Sequence, residues 1–173
     1  MPNRSRPRVA RHRRSDAAKN LPKAPTGIVG FDDVTGGGLP RGRPTLVAGG
    51  PGCGKTLFGL QFLMKGALDF NEPGVFATFE ETPADLELNV RSLGYDLAQL
   101  IRKKQIAIEH IRVERAEIEE TGEYNLEALF IRLDDALRSV KAKRIVLDTV
   151  ESLFGGLADT GVLRAELRRL FSW

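Results

Sequence analysis

The chain has 173 residues, 42% of them hydrophobic and 28% charged, with a net charge of +3 and a single cysteine. That length supports one domain with a sizeable core. No apolar run approaches the roughly 20 residues of a membrane helix, no secretory h-region opens the chain, and a lone Cys53 excludes a disulfide framework and suits a reducing cytoplasm.

Residues 1–25 come first as a basic tail. Up to Lys23 it carries Arg4, Arg6, Arg8, Arg11, Arg13, Arg14, Lys19 and Lys23 against the single acid Asp16, an excess of seven positive charges that leaves the rest of the +3 chain at −4. Rich in arginine and proline and poor in apolar residues, it is expected to be disordered. Such a tail attracts polyanions by counterion release but has no aromatic residue to stack on bases. A solvated leader is the plainer reading, with nucleic-acid binding expected only weakly and through this tail. His12 falls here without a role. His110, in an alternating apolar run, reads as a packed or rim histidine rather than a ligand.

The folded part is expected over 26–173. Gly36, Gly37 and Gly38 predict a tight, backbone-exposed loop. "TLVAG", Thr45 to Gly49, is β-branched and apolar and predicts a buried strand. "GGPGCGKT" follows at once: Gly49, Gly50, Pro51, Gly52, Cys53, Gly54, Lys55 and Thr56. The spacing is that of a phosphate loop. Several backbone N–H groups must approach a phosphate together, and side chains would block them, so glycines are needed. Lys55 then reaches the β- and γ-phosphates of a nucleoside triphosphate and Thr56 offers its hydroxyl to Mg²⁺. Cys53 reads as a small residue filling a variable slot of this loop, with an oxidation-sensitive thiol as the alternative. From Thr56 to Leu68 the chain predicts a largely buried helix, whose N-terminus points free N–H groups and its positive dipole end at the phosphates.

Val75 to Phe79 predicts a second strand, ending at Glu80 and Glu81. Thr82 is the expected N-cap and Pro83 the first residue of the next helix, closed by Gly94. "DLAQLIRKK" predicts a short helix and Ile106 to Val113 a third strand. An acidic loop follows. Asn125 is the expected cap of an amphipathic helix carrying Leu126, Leu129, Phe130, Leu133 and Leu137. "RIVLD", Arg144 to Asp148, predicts a fourth strand, and a last helix carries Leu163, Leu167, Leu170 and Phe171. This alternation predicts an α/β fold, a mostly parallel sheet with helices on both faces. Ligands of such sheets sit at the carboxyl ends of the strands. The phosphate loop, Glu80–Glu81 and Asp148 all fall there. Asp148 suits a Walker B aspartate, holding Mg²⁺ through water opposite Thr56. One of Glu80 and Glu81 is placed to polarise the attacking water and the other to orient it.

The segments "GFDDVTGGGLPRGRPTLVAGGPGCGKTLFGLQFL", "EPGVFATFEETPADL", "RSLGYDL", "RIVLDTVESLF" and "LRAELRRLF" resemble the first ATPase domain of the KaiC family, the circadian-clock branch of the RecA-like P-loop NTPases. The resemblance runs from about Thr26 to the last residue. It implies ATP and Mg²⁺ as cofactors, Glu80 and Glu81 as catalytic glutamates, Ser92 as a nucleotide contact and Asp148 as the Walker B aspartate. It further implies a hexameric ring with ATP between subunits, a KaiB-like partner, and Ser/Thr autokinase activity in the full-length family. Against the family pattern the chain stops early. The strand that follows the last helix in RecA-like sheets, and lies between the phosphate-loop and Walker B strands, is missing. So are the neighbour-facing basic residues and the kinase domain. The chain therefore reads as a fragment or truncated product, incomplete at its C-terminus, with two strands left without their shared partner. Alternatives are a non-catalytic nucleotide-binding or interaction fragment and a RecA/RadA-like DNA recombination ATPase.

Overall fold

A computed structural model describes residues 21–111, 126–154 and 160–173. The order of elements is β1 (Lys23–Ala24), α1 (Phe31–Val34), β2 (Leu39–Pro40), α2 (Lys55–Phe70), β3 (Gly74–Thr78), α3 (Pro83–Arg91), α4 (Leu97–Arg102), β4 (Ile106–His110), α5 (Glu127–Val140), β5 (Arg144–Asp148), α6 (Val150–Phe154) and α7 (Thr160–Ser172). The basic tail up to residue 20, the acidic loop, the Asn125 cap and the end of the third predicted strand lie outside the described residues.

The sheet has the order β4-β3-β5 and is parallel throughout. Phe76 stands in register with Ile108 on one side and Val146 on the other, and Thr78 with His110 and Asp148. All five residues of β3 are buried, as a central parallel strand covered on both faces requires. On one face Phe76 and Ile106 pack with Leu60, Leu63 and Met64 of α2, Leu86 and Val90 of α3, and Leu97 and Leu100 of α4. On the other, Val75 and Ala77 meet Leu129, Phe130, Leu133, Ala136 and Val140 of α5, joined by Leu153 of α6 and Leu170 of α7. The expected architecture, helices on both faces of a parallel sheet, is present. Each fully buried leucine or phenylalanine contributes about 1.5–3 kcal/mol of transfer free energy.

The α2–sheet approach is unusually close at Gly59. A Cβ there would lie 2.8 Å from Cγ1 of Val146 and 3.3 Å from the Phe76 ring. Alanine would improve helix propensity by about 1 kcal/mol, but overpacking a filled core costs about 1–3 kcal/mol. Gly59→Ala is therefore expected to be neutral to destabilising by up to about 2 kcal/mol, read from the urea midpoint at unchanged slope. A midpoint shifted upward would show that α2 can lift off the sheet at no cost.

"TLVAG" departs from its predicted strand. Residues 44–50 have no assigned strand, and the whole stretch is exposed, Leu46 at 75% and Val47 at 43%. The apolar pattern is right, but a strand exists only by pairing. Among the described residues, β5 pairs with β3 on one side and with nothing on the other.

At the amino ends of the strands, Arg144 opens β5 with its side chain only 2% exposed. Its Nε donates to Glu72 Oε2 at 2.7 Å and its Nη1 to the carbonyl of Phe62 at 2.9 Å, while its guanidinium lies over the rings of Phe62 and Phe70. Arg41 Nη2 donates to the other oxygen of Glu72 at 2.6 Å, pinning the loop before the phosphate-binding segment to the sheet. Burial pushes the Glu72 carboxyl up, but the hydrogen bonds and charges of the two arginines outweigh it and hold it below its ordinary value of 4.5. In the entry loop, Asp32 accepts from Thr26 N and Oγ1 and from Gly27 N at 2.7–2.9 Å. Burial raises this carboxyl too, and these donors, with the Arg144 charge, bring it below its usual range.

Candidate functional site

The site is assembled where β3 and β5 end. Gly52 and Gly54 take φ of +75° and +91°, values that L side chains rarely tolerate, and the chain turns through them into α2. Gly54 is the N-cap, and no side chain caps the helix. The N–H groups of its first turn are therefore left for a ligand. Lys55 folds over the loop, donating from Nζ to the carbonyls of Gly49 at 2.8 Å and Gly50 at 3.0 Å. Cys53 is exposed and carries a free thiol. A Cβ on Gly49 would come within 2.5 Å of its sulfur, so Cys53 packs against Gly49 and fills the turn.

Thr56, in the first turn of α2, donates from Oγ1 to Asp148 Oδ2 at 2.6 Å across 92 residues of sequence. Asp148 ends β5 and its backbone is tied to the next strand, Phe79 N donating to its carbonyl at 3.0 Å. The two hard oxygen donors expected to share a magnesium ion thus meet. Among the described residues no cluster of three or more His, Cys, Asp or Glu could hold a metal alone.

Glu80 and Glu81 turn to different sides. Glu80 is exposed, and its Oε1 accepts from Ser152 Oγ at 2.5 Å and Thr149 Oγ1 at 3.3 Å. Glu81 is half-buried, and its Oε2 accepts from Asn89 Nδ2 of α3 at 2.6 Å while its carbonyl accepts from Thr78 Oγ1. Thr82 caps α3 in a capping box with Asp85, and Pro83 takes the first helical position, as expected. This cap fixes the direction in which the chain leaves the two glutamates. Ser92 stands at the far end of α3, exposed, its hydroxyl donating to the carbonyl of Asn89 rather than to the phosphate loop.

Lys55, Thr56, Asp148 and Glu80 are thereby joined into one constellation, with Glu81 beside it and Ser92 a helix length away. Sequence reasoning missed Thr149, Ser152 and Asn89, the side chains that hold the glutamates. The only signal was the pair of hydroxyl residues soon after Asp148 in "DTVES". No helix among the described residues is long and apolar enough to cross a membrane.

A family model described as "ATPase: KaiC" matches residues 24–173. The chain is 58% identical over 154 residues, 89% of its length, to the circadian clock protein KaiC2 of Synechocystis sp.. It is 47% identical over 152 residues to the circadian clock oscillator protein KaiC of Parathermosynechococcus lividus, and 45% over 150 residues to that of Synechococcus elongatus, covering 88% and 87% of the chain. It spans 27–29% of the length of these relatives. With its phosphate loop, α/β core and the meeting of Thr56 with Asp148, the chain belongs to the KaiC ATPase family.

Proposed function

We propose that the chain binds ATP with Mg²⁺ and hydrolyses it slowly. The observation that carries this reading is the Thr56–Asp148 hydrogen bond at 2.6 Å, which juxtaposes the phosphate-loop hydroxyl and the strand-end carboxylate. Gly50 and Gly52 to Thr56 supply N–H groups and Lys55 its ammonium to the phosphates, while Gly49 and Pro51, which has no N–H, shape the turn. Thr56, and Asp148 through a water, would hold Mg²⁺, which would neutralise charge developing on the phosphate oxygens. Ser92 contacts the nucleotide away from the phosphates. Glu80 accepts the proton of the attacking water as its oxygen bonds to the γ-phosphorus and the bond to the β–γ bridging oxygen breaks, releasing ADP and phosphate. Glu80 takes this part because it is tied to Thr149, the neighbour of Asp148. Glu81, tied to Asn89, orients.

The working form is a homo-oligomeric ring in the cytoplasm with ATP between subunits, read by a KaiB-like partner in a clock or related signalling role. The names of the relatives and the family resemblance support this assignment. A second reading, a nucleotide-binding module without turnover, is favoured by the exposed, unpaired segment at residues 44–50.

Size-exclusion chromatography with light scattering, with and without Mg·ATP, and phosphate release measured in each fraction separate the two. An ATP-dependent oligomer that releases phosphate is expected, and Lys55→Ala is expected to lose both ATP binding and assembly. A monomer that binds ATP without turnover would establish the second reading.

A further inference from the structure

We infer that Ser152 is a positioning residue for hydrolysis: its hydroxyl fixes the carboxylate of Glu80 through Oε1 and leaves Oε2 to face the water. This rests on the reading of Glu80 as proton acceptor. The argument begins with proton counting. Ser152 Oγ, Thr149 Oγ1 and Glu80 Oε1 form a triangle with edges of 2.5, 3.1 and 3.3 Å. An ionised carboxylate only accepts, and each hydroxyl has one proton to give. The shortest edge takes the Ser152 proton. Thr149 then donates either to Glu80 or to the oxygen of Ser152, and in both cases it supports the Ser152 bond. Charge-assisted bonds of this kind are the shorter and stronger class.

Placement comes from the fold. Ser152 N donates to the Thr149 carbonyl at 3.1 Å, starting α6, and the next residue, Leu153, is 3% exposed in the core beneath. The hydroxyl is thus anchored from below by Leu153 and held within one turn of Asp148, whose carboxylate meets Thr56. Both hydroxyls reach Oε1, and among the described residues no donor reaches Glu80 Oε2. One oxygen is clamped and the other is open, which sets the direction of the basic lone pairs. Glu80 is exposed, so without the clamp its side chain would sample several rotamers, and misplacement of a reacting group by about 1 Å costs on the order of 100-fold in rate.

Ser152→Ala is expected to lower kcat about 10- to 100-fold with KM and equilibrium binding of Mg·ATP unchanged. Ser152→Thr is expected to restore most of the rate. In the Glu80→Gln background, Ser152→Ala is expected to cost nothing further, since the group it positions is already disabled. A merely structural serine would give the same loss in both backgrounds, and that additivity, or an unchanged kcat, overturns the proposal while leaving the ATPase reading intact. If Glu80→Gln itself turns over normally, the role of Glu80 is refuted and that of Ser152 with it. If the unsubstituted chain has no turnover, the hydrolysis reading fails by itself. Crystal structures with a non-hydrolysable ATP analogue then decide the clamp: one Glu80 rotamer in the unsubstituted chain and several in Ser152→Ala support it, and one rotamer in both overturns it.

Discussion

Glu80→Gln is expected to slow phosphate release by about 10²- to 10⁴-fold, the usual contribution of a positioned proton acceptor, with ATP affinity unchanged. The amide has the shape of the carboxylate, and its oxygen still accepts from Ser152, so the loop geometry survives the change. What is lost is the ability to take a proton at the open position. Glu81→Gln is expected to cost less, because Glu81 is turned toward α3 by Asn89 and touches the site only through its neighbour. Single-turnover phosphate release and equilibrium binding of a fluorescent ATP analogue check both. If the two variants exchange places, Glu81 is the acceptor and the bond to Asn89 must break before chemistry.

Arg144→Ala is expected to destabilise the fold by about 2–5 kcal/mol, because it empties a buried side-chain volume and removes charge-assisted hydrogen bonds, while Glu72 keeps its bond to Arg41. At about 2–4 °C per kcal/mol for a chain of this size, that lowers the melting temperature by on the order of 10 °C. Glu72→Gln is expected to act in the same direction. The double substitution Arg144→Met with Glu72→Leu is expected to recover much of the loss, because an apolar pair removes both desolvation costs together. The pH dependence carries the same signature. Folding lowers the pKa of Glu72 below 4.5, so its contribution is complete above that value and disappears as pH falls through the lowered one. Melting temperature should therefore fall more steeply as pH drops below 4.5 in the native chain than in Glu72→Gln. Parallel curves would mean that the pair contributes nothing to folding. Arg144 and Asp148 sit at opposite ends of β5, roughly 13 Å apart at strand rise, so these changes should alter stability and leave kcat alone.

The strands and helices that the sequence predicted from period are largely where expected, because period reports which face is buried. β5 spans Arg144 to Asp148 as read, and the cap at Thr82 is present with its proline. "TLVAG" was legible in composition and not in outcome: Leu46 and Val47 have the right character, but strand status depends on a neighbour that no local window contains. The two-residue β1–β2 pairing, Lys23–Ala24 with Leu39–Pro40, is too short for any pattern to register. At the site, the glycine turn into α2 and the strand-end place of Asp148 were legible, because glycine spacing and an apolar run closed by an acid are local patterns. The partners of the two glutamates were not. Ser152 reaches Glu80 across 72 residues, and a serine in a helix has no composition signal of its own. Arg144 was equally hidden, since an arginine opening a strand looks solvated until Glu72 and the carbonyl of Phe62 are found around it.

The posture of Lys55 has a consequence for selectivity. Its ammonium is satisfied by the carbonyls of Gly49 and Gly50, so a ligand enters only by offering something better than two neutral acceptors. A nucleoside or monophosphate has little to exchange for them. A triphosphate brings several charged oxygens, and hydrogen bonds between ionised partners are roughly twice as strong as neutral ones. A ligand that leaves Lys55 on its backbone forgoes the ammonium, and one whose phosphates reach it exchanges two neutral bonds for charged ones. On the proposed ATP-binding reading, a lysine that binds its own backbone first reduces the gain from the phosphates that engage it.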